Sequence, residues 1–171
     1  MRLAARLMAV VALLAMATWA LAQSPKNDPP IDDNTFVAKA AACSKCEVML
    51  AELAKNQAAN PDIKKFAERL ITDHTKANEQ LITAARAAKI TVPDRLPEDL
   101  VKEYDRCKNL KGAEFDKAYV KHMVDGHEKA VKLFENASRN VKDPGLREFA
   151  TKALPTIKEH LEQVKKFSGT R

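Results

Sequence analysis

Four long segments of the chain repeat apolar residues at steps of three and four, the spacing that places side chains on one face of an α-helix. Two of these segments begin with an Asn-Pro or Asp-Pro pair, Asn60-Pro61 and Asp143-Pro144. Each pair combines a residue that can cap a helix with a proline suited to its first turn. Because 171 residues contain only four glycines, a turn-rich sandwich or barrel is disfavoured. The pattern predicts an all-α protein.

Five helices follow from these signals, four long and one short. The predicted ranges are 34–59, 61–89, 97–110, 113–139 and 144–167. Asp33 or Asn34 should cap the first helix, and Pro155 should kink the last by removing a backbone hydrogen bond. The long connection between the second and third long helices is of the kind that ferritin-like bundles use. We therefore expect a ferritin-like four-helix bundle with a short crossover helix between helices 2 and 3.

The N-terminus has the pattern of a signal peptide. Arg2 and Arg6 precede an apolar run that ends in the small-x-small sequence Ala20-Leu21-Ala22. A retained membrane anchor is the alternative, but the run is shorter than the roughly 20 residues that a span requires. The predicted organisation is a signal peptide at 1–22, a flexible leader at 23–33, the bundle at 34–167 and a tail at 168–171. We expect an exported protein, in the periplasm or associated with the outer membrane, with no membrane span after cleavage.

The charge of the chain gives little guidance about partners. The formal net charge is +6, and it falls by two when the arginines of residues 1–22 are removed. Aromatic residues make up 5% of the chain and show no stacking pattern among the lysines, so nucleic-acid binding is disfavoured. The lysines are typical of solvated helix surfaces, and an envelope protein or an anionic surface remains open as a partner.

Each long helix carries one ionisable residue on its apolar face. These residues are Glu47, His74, His127 and His160. The first three lie near the midpoints of their predicted helices and His160 lies about one turn past its own, so all four should reach a similar height in the bundle. Because an unsatisfied buried polar group costs roughly 1–3 kcal/mol, the four should have partners.

Two kinds of partner can satisfy this cluster. A transition metal ion such as Zn, Fe, Mn or Cu could take the imidazoles and the carboxylate as ligands. Alternatively, the four groups satisfy one another, with Tyr119 and water, in a hydrogen-bonded polar core. In the second case the protein would be a non-enzymatic envelope module whose function lies in surface contacts.

Catalytic chemistry has little support in the sequence. Di-iron ferritin-like enzymes place a Glu three residues before a His, whereas Ile71, Val124 and Ile157 occupy those positions here. No Ser-His-Asp order and no phosphate-binding glycine loop is present, so no catalytic residue is predicted. Four acidic residues beside the inner faces should turn toward solvent or toward helix boundaries: Asp73, Asp125, Glu128 and Glu159.

The three cysteines could form one disulfide bridge. Cys43 and Cys46 lie more than two turns inside the first helix, where the helix N-terminus cannot activate a redox-type Cys-x-x-Cys. A bridge between them would strain a regular helix. In an oxidising compartment we expect Cys43 or Cys46 to pair with Cys107. Three reduced thiols packed as small apolar residues, or a copper- or zinc-thiolate site, are the alternatives.

The segments "FAERLITDHTKANEQL", "FDKAYVKHMVDGHEKAVKLFE" and "LREFATKALPTIKEHLEQV" carry a family resemblance. With them, the chain from Asn34 to Phe167 resembles the exported ferritin-like family known as domain of unknown function 4142, whose members are often labelled outer membrane proteins. The resemblance implies a ferritin-like bundle and export from a bacterial cell, and it brings no established activity. It also implies that the family's recurrent inner polar positions are Glu47, His74, His127 and His160. The three cysteines depart from the family pattern, which has small or aliphatic residues there.

Overall fold

A computed structural model of the protein describes residues 29–169, and within them the fold is an all-α bundle of five helices. They are α1 (Asp33–Gln57), α2 (Pro61–Ala87), α3 (Glu98–Cys107), α4 (Gly112–Asn140) and α5 (Pro144–Ser168). Helix α1 packs against α2 and α4 against α5, while α1–α4 and α2–α5 contacts close the four-helix bundle. Helix α3 is the crossover and packs on α1 and α4. The predicted fold, including the crossover helix, is confirmed.

Helix α1 begins slightly earlier than the sequence predicts. Its N-cap is Asp32, whose carboxylate accepts a hydrogen bond from the Thr35 amide at 2.9 Å. Asp33 and Asn34, the predicted caps, lie inside the helix. The Asp33 carboxylate instead accepts hydrogen bonds from the backbone amides of residues 142 and 143, at 2.6 and 3.0 Å. It therefore ties the start of α1 to the turn between α4 and α5.

The two cap-plus-proline signals act as the sequence predicts. The Asn60 side chain accepts from the Asp62 amide at 2.8 Å, and the Asp143 side chain accepts from the Leu146 amide at 2.9 Å. Pro155 lies inside α5, also as expected. These caps satisfy backbone amides that have no partner within a helix, and they fix where α2 and α5 begin.

The end of the predicted leader is attached to the bundle. Asn136, buried on α4, accepts a hydrogen bond from the Ile31 amide at 3.1 Å and donates one to the Pro29 carbonyl at 2.9 Å. The backbone of residues 29 and 31 is therefore hydrogen-bonded to α4. The predicted signal peptide and the first part of the leader lie outside the described residues.

A polar layer separates two hydrophobic clusters along the bundle. One cluster, near α3, contains Leu50 of α1 and Leu70 of α2, and the other contains Ala40 and Leu81 of the same two helices. The predicted inner residues of α1 and α2 lie between these positions, and those of α4 and α5 lie between the corresponding residues of their own helices. Across residues 29–169, no helix has both the length and the apolar character needed to cross a membrane.

Candidate metal centre

Three buried imidazoles converge in the polar layer. His74, His127 and His160 are 8%, 0% and 1% exposed, and each offers one nitrogen within 4.8 Å of the nitrogens of the other two. The ring centroids are 5.4 to 5.8 Å apart. We call these three residues the histidine triad. One side chain comes from α2, one from α4 and one from α5, so the packing of the bundle assembles the triad.

Two rings of the triad are oriented by acceptors on their outer nitrogens. His127 Nδ1 lies 2.9 Å from the carbonyl oxygen of Met123, one turn earlier in α4. His160 Nε2 lies 2.9 Å from Oδ2 of Asp73 on α2. A carbonyl and a carboxylate can only accept, so both outer nitrogens carry the proton. In the neutral rings, the lone pairs are then on the inner nitrogens, His127 Nε2 and His160 Nδ1.

The third ring has a hydroxyl partner. His74 Nδ1 lies 2.9 Å from Oγ of Ser44 on α1, and a hydroxyl can donate or accept. The inner nitrogens of all three rings are buried and have no hydrogen-bond partner among the described residues, and neither has the hydroxyl of Tyr119. The side chains of the cluster therefore leave these four buried atoms unsatisfied.

Glu47 lies along one side of the triad. Its Oε2 is 3.4 Å from His74 Nε2, and its Oε1 is 3.4 Å from His127 Nδ1. The Cys43 thiol donates to Oε1 at 3.6 Å. Among the described residues, the group with ligand atoms within 4.8 Å of one another contains the three histidines without Glu47. Glu47 therefore lies beside the triad, but its carboxylate oxygens are not part of the group of ligand atoms within 4.8 Å of one another.

A glycine on α4 makes room for this carboxylate. A Cβ atom built on Gly126 would lie 2.9 Å from Oε1 of Glu47, a distance that real Cβ atoms essentially never show. A glycine inside a helix costs about 1 kcal/mol relative to alanine. The close approach of the Glu47 carboxylate supplies a steric reason for a glycine at this position.

Burial determines the charge of the layer. It lowers the pKa of His74, and that of His160 to about 4, although Glu47 and Asp73 respectively act in the opposite direction. The pKa of Glu47 lies below its usual value, because the positive charge of His127 and His74 in their protonated forms acts against the burial that would raise it. At neutral pH, His74 and His160 are uncharged.

A cleft between α2 and α5 reaches the triad from outside. Its volume is about 700 Å³, and all three histidines and Glu47 contribute to its lining. The three histidines therefore lie at the inner end of this cleft, with their inner nitrogens buried.

The sequence model of the family described as "Domain of unknown function (DUF4142)" matches residues 18–167. The chain belongs to this family. The resemblance seen in the sequence motifs is thereby confirmed. Among curated proteins, none matches this DUF4142 protein.

Solved structures that resemble this DUF4142 protein are also helical bundles. CopM in its Cu(II)-bound form is 19% identical, with 81% of this chain and 97% of that chain covered and a TM-score of 0.68. CopM in an Ag-bound form is 20% identical, with 80% and 95% covered and a TM-score of 0.65. A protein from Streptomyces coelicolor described as secreted, DUF305, is 10% identical, with 77% and 88% covered and a TM-score of 0.64. The TM-scores show a common fold, and at these identities the likeness extends to the fold alone.

The structure places the four predicted inner residues together and adds partners that sequence reasoning missed. Asp73 does lie at the boundary of α2 and α5, as expected, but it also contacts His160 and so takes part in the cluster. Ser44 gave no signal in the sequence. Gly126 did offer one, as a mid-helix glycine in a glycine-poor chain. The other three acidic residues form surface or interhelical ion pairs, Asp125 with Lys121, Glu128 with Lys165 and Glu159 with Arg69.

The three cysteines are free thiols, so the predicted bridge to Cys107 is not formed. Cys46 and Cys107 are buried in the same hydrophobic cluster, but their sulfur atoms face different oxygens. Cys46 Sγ lies 3.9 Å from the Leu100 carbonyl and Cys107 Sγ lies 3.9 Å from Oε1 of Glu103. Burial and nearby carboxylates raise the pKa of Cys46 to about 12 and that of Cys107 to about 11. Both thiols therefore stay protonated and unreactive.

Proposed function

We propose that this protein binds a divalent transition metal ion through His74, His127 and His160. The observation that carries the proposal is the convergence of three buried ring nitrogens within 4.8 Å, each without a hydrogen-bond partner among the described residues. A polar nitrogen buried in this way costs free energy unless something binds it. A metal ion with imidazole ligands satisfies all three at once.

The outer contacts of the triad support this reading. Histidines that bind metals usually donate their other ring N–H to a carboxylate, a backbone carbonyl or water, which fixes the tautomer and the ring orientation. Asp73 and the Met123 carbonyl occupy this position for two of the three rings. Glu47 brings one negative charge to the layer and lowers the cost of burying a dication there.

The chemistry of the ligands favours Cu²⁺ or Zn²⁺ among the ions that suit this site. Imidazole nitrogen is a good ligand for zinc, copper and iron, whereas manganese prefers sites richer in carboxylate and water. The triad contains no thiolate or thioether, the ligands that select Cu(I). CopM, which has the same fold, is known in Cu(II)-bound and Ag-bound forms, and this agrees with copper as the first ion to test.

We infer that the protein works outside the cytoplasm, in the periplasm or at the outer membrane. The support is the signal-peptide pattern of residues 1–22 and the shared fold with a DUF305 protein described as secreted. The mature chain should begin at Gln23 and appear in a soluble exported fraction. An intact mass that retains Met1 on membrane-bound protein would contradict export.

The alternative, a structural envelope module with a hydrogen-bonded polar core, is less well supported. Such a core should pair its own polar atoms, but the three inner ring nitrogens and the Tyr119 hydroxyl have no partner among the described residues. Water alone could fill these positions, so the experiment has to distinguish metal from water.

Calorimetric titration of the untagged mature protein with Cu²⁺ or Zn²⁺ tests the proposal. We expect one ion per chain for the parent and at least about 100-fold weaker binding for His127→Ala, since a ligand is removed from a three-histidine site. His122→Ala is the matched control, because this fourth histidine contacts Glu103 rather than the triad. Urea unfolding should show that both variants fold cooperatively. If His127→Ala binds as tightly as His122→Ala, the triad is not the site.

A further inference from the structure

The cleft above the triad has the size and lining of a binding site for a small organic molecule. Its volume of about 700 Å³ falls within the range of about 300–1,000 Å³ that is usual for such sites. Helices α2 and α5 form its walls, while α1 and α4 form its floor. The triad and Glu47 supply the convergent polar groups that a specific site requires.

Small side chains keep the cleft open. Ala77 and Ala84 of α2 and Ala153 of α5 line it, with Phe134 and Ile157 adding apolar surface. Alanines at these positions leave α2 and α5 without the larger side chains that would close the gap between them. The outer rim is charged and exposed, and it includes Lys76, Glu79, Glu148 and Lys152. The cleft is thus apolar in its body, polar at its inner end and solvated at its mouth.

The coordination of the occupied metal site decides which head group fits, and this step rests on the proposed function. Three imidazoles bring no negative charge to a dication, and Glu47 and Asp73 lie outside the group of atoms within 4.8 Å that would hold it. A carboxylate oxygen is a common zinc ligand, so an external carboxylate is favoured at a position that the protein leaves open. Three protein ligands also leave an open coordination position, which is how metal sites that accept exogenous ligands are built.

We propose that the metal-loaded protein binds a small amphipathic organic anion in this cleft. A carboxylate head lies at the open position of the ion. An apolar body of several methylene groups lies along Ala77, Ala84 and Ala153. The metal centre is therefore part of a composite site that takes a carboxylic acid together with the ion.

Octanoate is the probe for this proposal, and two other molecules serve as controls for its head and its body. Acetate has the head without the body, and octan-1-ol has the body without the charge. Each buried methylene is worth about a four-fold gain in affinity. Calorimetry on the zinc-loaded mature protein should therefore show octanoate binding at least about 100-fold more tightly than acetate. We also expect at least about a 10-fold preference over octan-1-ol and over octanoate binding to the metal-free protein.

A pair of variants tests whether the cleft is the place of binding. Ala84→Phe adds a ring inside the cleft, about 15 Å along α2 from His74, and should weaken octanoate binding at least about 10-fold while zinc binding stays unchanged. Thr75→Phe adds the same ring on the exposed face of α2 and should change octanoate binding less than about two-fold. Equal octanoate affinities for these two variants, or for metal-free and zinc-loaded protein, would overturn the inference. A parent chain that binds neither zinc nor Cu²⁺ overturns the proposed function itself, so the two failures are distinguishable.

Discussion

The contact between Gly126 and Glu47 gives the sharpest test of the site geometry. Replacing a glycine by alanine inside a helix normally stabilises a protein by about 1 kcal/mol. At position 126 the new Cβ would lie 2.9 Å from Oε1 of Glu47. To relieve this contact, the carboxylate has to move by about half an ångström, out to the 3.4 Å at which ordinary van der Waals contact with a Cβ begins.

The carboxylate cannot move freely, because other atoms crowd both of its oxygens. Oε1 has His127 Nδ1 at 3.4 Å and the Cys43 thiol at 3.6 Å, and Oε2 has His74 Nε2 at 3.4 Å. Overpacking a filled core costs about 1–3 kcal/mol. Subtracting the helical gain of about 1 kcal/mol, we expect Gly126→Ala to range from neutral to about 2 kcal/mol destabilising.

A double-mutant cycle separates the two effects. In a Glu47→Ala background the obstacle is gone, so Gly126→Ala should stabilise the protein by about 1 kcal/mol. The difference between the two backgrounds, about 1–3 kcal/mol, is the interaction energy. Urea unfolding of the metal-free mature chain measures all four corners. Gly169→Ala, at the C-cap of α5 where a Cβ would meet nothing within 4 Å, is a control for steric contact and should change stability by less than about 0.5 kcal/mol. An equal gain from Gly126→Ala in both backgrounds would refute the placement of Glu47.

Two further predictions concern acid and the outer contacts of the triad. Metal-free protein should lose stability as the pH falls from about 6.5 toward 4, because His160 in the unfolded chain gains a proton near its usual pKa of 6.5 while burial holds its pKa in the folded chain to about 4. In His160→Leu the fall in urea midpoints across this range should become shallower, and the lowered pKa of His74 accounts for part of what is left. Asp73→Asn should weaken Cu²⁺ or Zn²⁺ binding about 10- to 100-fold in calorimetry, whereas Glu159→Gln, which removes another partner of Arg69 without touching the triad, should not.

The fold could be predicted from the sequence because its signals are local. The Asn60-Pro61 and Asp143-Pro144 pairs mark helix starts through hydrogen bonds that span only two or three residues. The exact start of α1 could not be predicted in the same way. Asp33 is a good cap by composition, but its carboxylate is taken by amides more than a hundred residues away. Only the packing of α1 on the α4–α5 turn decides between Asp32 and Asp33.

The candidate site also contains residues that the sequence predicts and residues whose roles only the packing of helices reveals. The four inner residues follow from helical spacing, since each lies on the apolar face of its own helix. The roles of Asp73, Ser44 and Gly126 depend instead on distances between helices. Asp73 directly precedes His74 in the sequence, but its carboxylate accepts a hydrogen bond from a different triad residue, His160 on α5. The cysteine pairing depends on such distances too: Cys46 and Cys107 share a core cluster, but their sulfur atoms face different oxygens and no bridge joins them in this structure.

A last prediction asks whether the polar layer serves stability or binding. The layer interrupts two hydrophobic clusters that could otherwise be continuous. His160 is the cleanest position for the test, because it is 1% exposed and packs edge-on against the ring of Phe66, with centroids 6.0 Å apart.

His160→Leu removes a buried nitrogen that has no partner among the described residues and substitutes an apolar side chain of similar size. Its outer partner, Asp73, is not stranded, because it is half-buried and keeps Arg69 at 3.3 Å. Replacing a buried polar group by an apolar one of similar shape is often neutral or stabilising. We therefore expect the metal-free variant to be as stable as the parent or about 1–2 kcal/mol more stable in urea unfolding at pH 7.

The same variant should lose its response to metal. An ion that binds the folded parent at 100 times its dissociation constant stabilises it by about 2.7 kcal/mol, and His160→Leu should lose most of that increment. A structural polar core predicts the opposite pair of results: a clear loss of stability in the metal-free variant and no metal response in either protein. The two readings thus differ in sign in one set of unfolding curves. Because His160 contributes a ring nitrogen that has no partner among residues 29–169, the metal-binding reading predicts that stability is given up at this position for the ability to hold an ion.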